Sequence, residues 1–180
     1  MNFKNQGIKS TQAVARLINQ SGGPIDYLRL SKLVYLAERQ SIISRGVPIV
    51  GGHYFSMKKG PTIGEIMDYV HNQKAPQWKE TISPRHGNEV RLESAGLSFS
   101  ALSQSEIEIL DSTVAAHVGR TTDELVEWCH LNCPEYEEVK SGRRPIQAEK
   151  ILIVAAKSQK CVQHFVANAK ESEELEALLA

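Results

Sequence analysis

The chain has 180 residues, of which 41% are hydrophobic and 23% charged, and these values are ordinary for a globular protein with a sizeable core. Lysine and arginine together number 21, as do aspartate and glutamate, so the formal net charge is zero. This balance argues against a dedicated nucleic-acid-binding protein, which usually carries a basic excess. No run of 18 apolar residues is present, so no membrane span is predicted.

The N-terminal stretch and the cysteines indicate a cellular compartment. MNFKNQGIKSTQ lacks the apolar segment of a secretory signal peptide. The three cysteines, Cys129, Cys133 and Cys161, form an odd and low count, which is typical of reduced thiols. We therefore expect a cytoplasmic protein.

The first third of the chain predicts two helices. Apolar residues recur at helical spacing in residues 8 to 20, and a break follows that ends in Pro24, which suits the first position of a new helix. Residues 25 to 43 are apolar around most of the helix circumference, which is typical of a central, buried helix. Gly46 and Pro48 are expected to end it.

A small sheet is predicted next. Tyr54, Phe55 and Met57 lie in a strand-like stretch. Residues 81 to 83 and 89 to 92 flank PRHGN, a plausible hairpin turn. We expect these segments to form about three strands together.

The second half of the chain predicts more helices. Ser103 with Glu106, and Thr121 with Glu124, are capping-box patterns at the starts of two helices. Residues 147 to 169 have a helical pattern as well.

The predicted fold class is mainly α, within the α+β type: a compact helical domain with a small inserted antiparallel β-sheet of two to three strands. One domain is expected over residues 1–170. Residues 171–180, ESEELEALLA, would form an acidic and then apolar C-terminal tail.

Phosphate binding has little support in the sequence. GVPIVGGH, residues 46 to 53, has the glycine spacing of a P-loop, but Gly52 and His53 stand where lysine and serine or threonine are required. The segment KKGP before a predicted helix could attract an anion, although a solvated turn is the favoured interpretation.

A metal site would centre on Cys129, His130 and Cys133. Zinc normally takes four ligands, and one helix face supplies at most two here, so Cys161 or His164 would have to be brought close by the fold. Buried cysteines are the favoured alternative. No hydrolase motif is present either, so we predict neither an enzyme nor a cofactor.

A protein-binding surface is the remaining candidate. Tyr54 and Met57 lie in a stretch that could present an edge strand, and adaptable methionine and tyrosine side chains are common at such surfaces. The alternative is that both are ordinary core residues.

Four segments, in order, carry a resemblance to a known family. They are LSKLVYLAER at 30 to 39, GVPIVGGHYFSMKKGP at 46 to 61, LSQSEIEILD at 102 to 111, and TTDELVEWCHLNCPEY at 121 to 136. This ordered set resembles the Panacea antitoxin domain, also called SocA-like. The chain departs from the family pattern at Glu135-Tyr136, which stands where an aromatic residue often follows the last proline, and at Thr62 to Glu65 after the Gly-Pro.

The resemblance implies a non-enzymatic helical domain that binds a separately encoded protein toxin, often from an adjacent gene, and holds it inactive. The family is also found in prophages. The predicted partner-binding residues are those of the hairpin segment: Tyr54, Met57, Lys58, Lys59, Gly60 and Pro61. In an alternative function, also implied by the resemblance, the chain is an adaptor that delivers a bound toxin to the ClpXP protease.

Overall fold

The computed structural model describes residues 3–73, 75–93 and 96–179 of the chain. Within these ranges eight helices and five short strands form. The helices are α1 (Gly7–Gln20), α2 (Tyr27–Arg45), α3 (Gly64–Asn72), α4 (Pro76–Thr81), α5 (Gln104–His117), α6 (Thr122–Asn132), α7 (Ala148–Val154) and α8 (Gln159–Leu179). The strands are β1 (Ile25–Asp26), β2 (Tyr54–Met57), β3 (Gly60–Ile63), β4 (Glu89–Val90) and β5 (Arg143–Ile146). The predicted fold class, mainly α with a small antiparallel sheet, is confirmed.

Helix α2 is the centre of the core, as its all-round apolar pattern predicts. It packs against α1, α5, α6 and β3. The helix begins at Tyr27 and not at Pro24, because Asp26 caps it by accepting hydrogen bonds from the amides of Leu28 and Arg29. It ends where Gly46 adopts a left-handed conformation with φ of 72°.

The strands form two sheets, and their pairing differs from the prediction. The segment around PRHGN does turn back on itself, with bridges between Ile82 and Leu92 and between His86 and Glu89. Its strand β4 pairs with β1, however, and not with the Tyr54 stretch. The three-stranded sheet has the order β3-β2-β5, and all neighbours are antiparallel.

The predicted starts of two helices are confirmed. Ser103 and Glu106 form a reciprocal capping box at the start of α5, and Thr121 and Glu124 form another at the start of α6. The helical stretch predicted for residues 147 to 169 is instead two helices, α7 and α8, separated at residues 155–158.

Helix α8 crosses the predicted boundary between domain and tail at residue 170. Its first half is docked, since Phe165 and Ala169 are buried and the Phe165 ring lies edge-on to Phe3 at 5.3 Å between centroids. Leu175 and Leu178 in its second half are exposed. None of the helices in the described ranges is both long and apolar enough to cross a membrane.

Candidate partner-binding site

Strands β2 and β3 form a hairpin with a two-residue turn at Lys58 and Lys59. Met57 pairs with Gly60 where the turn closes. Gly60 has φ of 92°, a conformation that L side chains rarely adopt, and a Cβ there would lie 3.3 Å from the His130 ring. The hairpin therefore requires glycine both for backbone conformation and for its close approach to α6.

Replacing Gly60 with alanine is expected to lower the free energy of unfolding by roughly 2 kcal/mol, because the left-handed conformation is strained and the His130 ring must move. Chemical denaturation measures the loss. Gly119→Ala is the matched control, because Gly119 has no positive φ and nothing lies within 4 Å of its Cβ position. Equal effects at the two positions would contradict this account.

The structure divides the predicted partner-binding residues into two groups. Tyr54, Gly60 and Pro61 are buried, and Tyr54 is only 1% exposed. The prediction that Tyr54 contacts a partner is not compatible with this position, because strand alternation turns residue 54 into the core. Met57 is half-buried, and Lys58 and Lys59 are exposed at the turn, where a partner can reach them. Their role in binding stays a prediction.

A buried lysine of the central helix forms a hydrogen bond to the hairpin. Lys32 of α2 is 1% exposed, and its Nζ donates a hydrogen bond of 2.7 Å to the carbonyl oxygen of Pro61. Burial lowers the pKa of Lys32 from its ordinary value of 10.5 to about 8. The sequence does hold a signal for this contact, since Lys32 is the only charged residue in the apolar stretch from Leu30 to Ala37.

A buried carboxylate holds the segment that leads into β2. Glu38 of α2 accepts hydrogen bonds from the amides of Ile49, Val50 and Gly51, at 2.7, 2.9 and 2.7 Å. It also accepts one from the Tyr54 hydroxyl at 2.9 Å. Burial raises the pKa of Glu38, and the four hydrogen bonds oppose that rise. Glu38 thus fixes where β2 begins.

The residues that follow α6 form hydrogen bonds to α2 and to the hairpin. Glu135 is fully buried and accepts hydrogen bonds on Oε1 from the Tyr35 hydroxyl and from Arg39 Nε, each at 2.8 Å. Tyr136 stacks on His130 with 4.6 Å between ring centroids and donates a 3.2 Å hydrogen bond to the Met57 carbonyl. Tyr136 therefore supports the hairpin directly, whereas Glu135 joins the segment after α6 to α2.

The structure does not bring all of the candidate metal-binding residues together. Cys129 and Cys133 are buried, and the interaction between the two thiols lowers the pKa of Cys129 and raises that of Cys133. Cys161 is exposed on α8, as is His164. Across residues 3–73, 75–93 and 96–179, no group of three or more histidine, cysteine, aspartate or glutamate side chains is placed to hold a metal ion.

A groove with a volume of about 720 Å³ lies beside the hairpin turn. We call it the lysine groove. Four lysines and two aspartates are among its lining residues, so positive charge is in excess. The lining residues are Asp26, Tyr27, Leu28, Ser31, Lys32, Met57, Lys58, Lys59, Thr62, Met67, Asn88, Thr122, Asp123, Lys140, Ser141 and Gly142. The sequence predicts only three of them, Met57, Lys58 and Lys59, because the others come from segments that are far apart in the chain.

The comparisons with known proteins identify the family. The model of the antitoxin SocA-like Panacea domain matches residues 30–135, which is more than half of the chain. The chain therefore belongs to the SocA-like Panacea antitoxin family. Searches of curated proteins and of solved structures gave no match. The matched range includes most of α2 and all of the β2–β3 hairpin, α5 and α6.

Proposed function

We propose that this chain is the antitoxin of a toxin–antitoxin pair and that it neutralises a protein toxin by binding it directly. The observation that carries the proposal is its membership of an antitoxin family. The structure supports a binding role for the hairpin, because its turn is exposed and basic while the strands below the turn are held by buried contacts. Lys32 and Tyr136 both donate hydrogen bonds to hairpin carbonyl groups, so little conformational entropy would be lost when a partner binds.

Co-expression tests the function. Each immediately neighbouring open reading frame is induced alone and then together with this chain, and growth is recorded. We expect one neighbour to stop growth when it is alone and growth to return when this chain is present. If no neighbour is toxic, or if this chain fails to restore growth, the antitoxin proposal is contradicted.

The binding surface is proposed to be the turn, with Met57 as an apolar contact and Lys58 and Lys59 at its rim. A double reversal, Lys58→Glu with Lys59→Glu, is expected to weaken toxin binding by at least about tenfold, because two exposed charges change sign at the interface. Calorimetry on the purified pair measures the affinity.

The matched control for this surface is Lys157→Glu with Lys160→Glu. It makes the same change of charge at two exposed lysines outside the lysine groove. If the two double variants bind the toxin equally well, the turn is not the binding surface.

The adaptor function, delivery of a bound toxin to the ClpXP protease, stays a prediction. The C-terminal end could instead make the chain itself a substrate of that protease, and replacing Leu179-Ala180 with Asp-Asp while following the half-life of this chain in cells tests that alternative. An unchanged half-life would remove that role for the tail.

A further inference from the structure

Thr62 carries a buried hydroxyl group that has no hydrogen-bond partner among the described residues. Its side chain lies on β3 and lines the lysine groove, and the residue is only 2% exposed. Buried hydroxyl groups are normally hydrogen-bonded, because leaving one unpaired is unfavourable. The Thr62 hydroxyl is therefore available to a hydrogen-bond acceptor that a ligand in the groove could supply.

Lys32 is another lining residue of the groove, and its ammonium group has unused donors. It carries three N–H groups, and its only hydrogen bond to a described residue is the one to the Pro61 carbonyl. A buried charge of this kind is stabilised by an anion more strongly than an exposed one, since little water competes for it. Thr62 and Lys32 therefore offer a neutral and a charged donor in one cavity.

The charged side chains at the rim of the groove also favour an anionic ligand. Lys58, Lys59 and Lys140 are exposed and form no ion pair with any residue in the described ranges. Of the two aspartates, Asp26 is occupied as the cap of α2, where its carboxylate accepts two backbone amides. The net field in the groove is positive and favours an anionic ligand.

The groove also has apolar walls, formed by Leu28, Met57 and Met67. A free inorganic anion would leave these apolar side chains exposed to solvent, whereas a peptide segment would cover them with its own apolar side chains. The volume of about 720 Å³ lies within the range that binding pockets show. Zero net charge over the whole chain argues against nucleic acid as the occupant.

We propose that the lysine groove binds an acidic segment of the partner protein, with an aspartate or glutamate carboxylate accepting from Thr62 and Lys32 and neighbouring apolar side chains lying on Leu28, Met57 and Met67. This inference rests on the proposed function, because it takes the occupant to be a protein. It adds the chemistry of the recognised segment and a second contact region next to the turn.

A random dodecapeptide phage library tests this with the full chain alone. The library is selected on the wild-type protein, and peptides that also bind Lys140→Glu are removed. We expect the enriched peptides to carry an aspartate or glutamate beside leucine, isoleucine or methionine. An empty selection, or enriched peptides without acidic residues, would overturn the proposal.

The enriched peptide is then synthesised with a fluorescent label and an amidated C-terminus, and its affinity is measured by anisotropy. Replacing its acidic residue with the matching amide is expected to weaken binding about tenfold or more. Thr62→Val is expected to weaken binding by about tenfold without lowering Tm, because it removes an unpaired hydroxyl at nearly constant volume. Unchanged affinity in Thr62→Val would overturn the assignment of this hydroxyl.

The outcome is independent of the growth experiment. If acidic peptides bind but no neighbouring gene is toxic, the groove assignment stands and the antitoxin proposal fails. If growth is restored but no acidic peptide binds, the antitoxin proposal stands and the groove assignment fails.

Discussion

Replacing Glu38 with alanine is expected to leave the chain largely unfolded at neutral pH. The substitution removes the acceptor for three backbone amides and for the Tyr54 hydroxyl, all at a buried position. Each buried donor left without a partner costs about 1–3 kcal/mol, so the four together cost roughly 4 kcal/mol or more. That loss is comparable with the whole stability of a typical domain, about 5–15 kcal/mol.

Urea denaturation followed by circular dichroism measures this effect. Glu38→Gln should lie between alanine and the wild type, because the amide keeps one acceptor oxygen but turns two N–H donors toward groups that are themselves donors. Glu80→Ala, which removes an exposed carboxylate from α4, is the control and should remain close to wild type. A mild effect of Glu38→Ala would show that the loop before β2 is held by other contacts.

The second large effect is a dependence of stability on pH that arises from Lys32. Its pKa is lowered to about 8 in the folded chain by burial, from an ordinary value of 10.5. Between these two values the unfolded chain binds more protons than the folded chain, so stability rises with pH through this window. The full difference corresponds to about 3 kcal/mol.

The Lys32→Met variant is the reference protein for measuring how the free energy of unfolding depends on pH. We expect wild type to gain about 3 kcal/mol of unfolding free energy relative to Lys32→Met as the pH rises from 7 to about 10.5. The comparison is needed because burial raises the pKa of Tyr35 and Tyr54, which destabilises both proteins above about pH 10. Parallel stability curves for the two proteins would contradict the assignment of Lys32 as a buried ammonium group.

The helices of the chain could be predicted because their signals are local. A serine or threonine followed three residues later by glutamate marks the starts of α5 and α6, and both capping boxes form as predicted. The all-round apolar character of α2 likewise reports its position in the core, because a helix of this kind is stable only when it is surrounded.

The sheet was less predictable because strand pairing is a long-range property. β5, with the sequence RRPI, contains two arginines and a proline, which locally resemble a charged loop. It becomes a strand only because β2 offers a free edge, with Ser56 opposite Arg144 and Phe55 opposite Pro145. No pattern within residues 143–146 reports that partner.

The predicted site contained an error of strand geometry that the sequence alone could have shown. The sequence prediction places Tyr54 and Met57 on one partner-binding surface, but residues three apart in a strand point to opposite faces. In the structure Tyr54 and Ser56 face inward, while Phe55 and Met57 are half-buried. Which of the two faces is buried depends on α2, and that contact had to come from the fold.

Growth rescue by three versions of this chain is the most direct test of the claim that the turn at Lys58 and Lys59 neutralises a toxin. Wild type, Lys58→Glu with Lys59→Glu, and Lys157→Glu with Lys160→Glu are each expressed with the toxic neighbouring gene at matched protein levels. We expect wild type and the Lys157–Lys160 variant to restore growth and the Lys58–Lys59 variant to fail. Full rescue by the Lys58–Lys59 variant would contradict it.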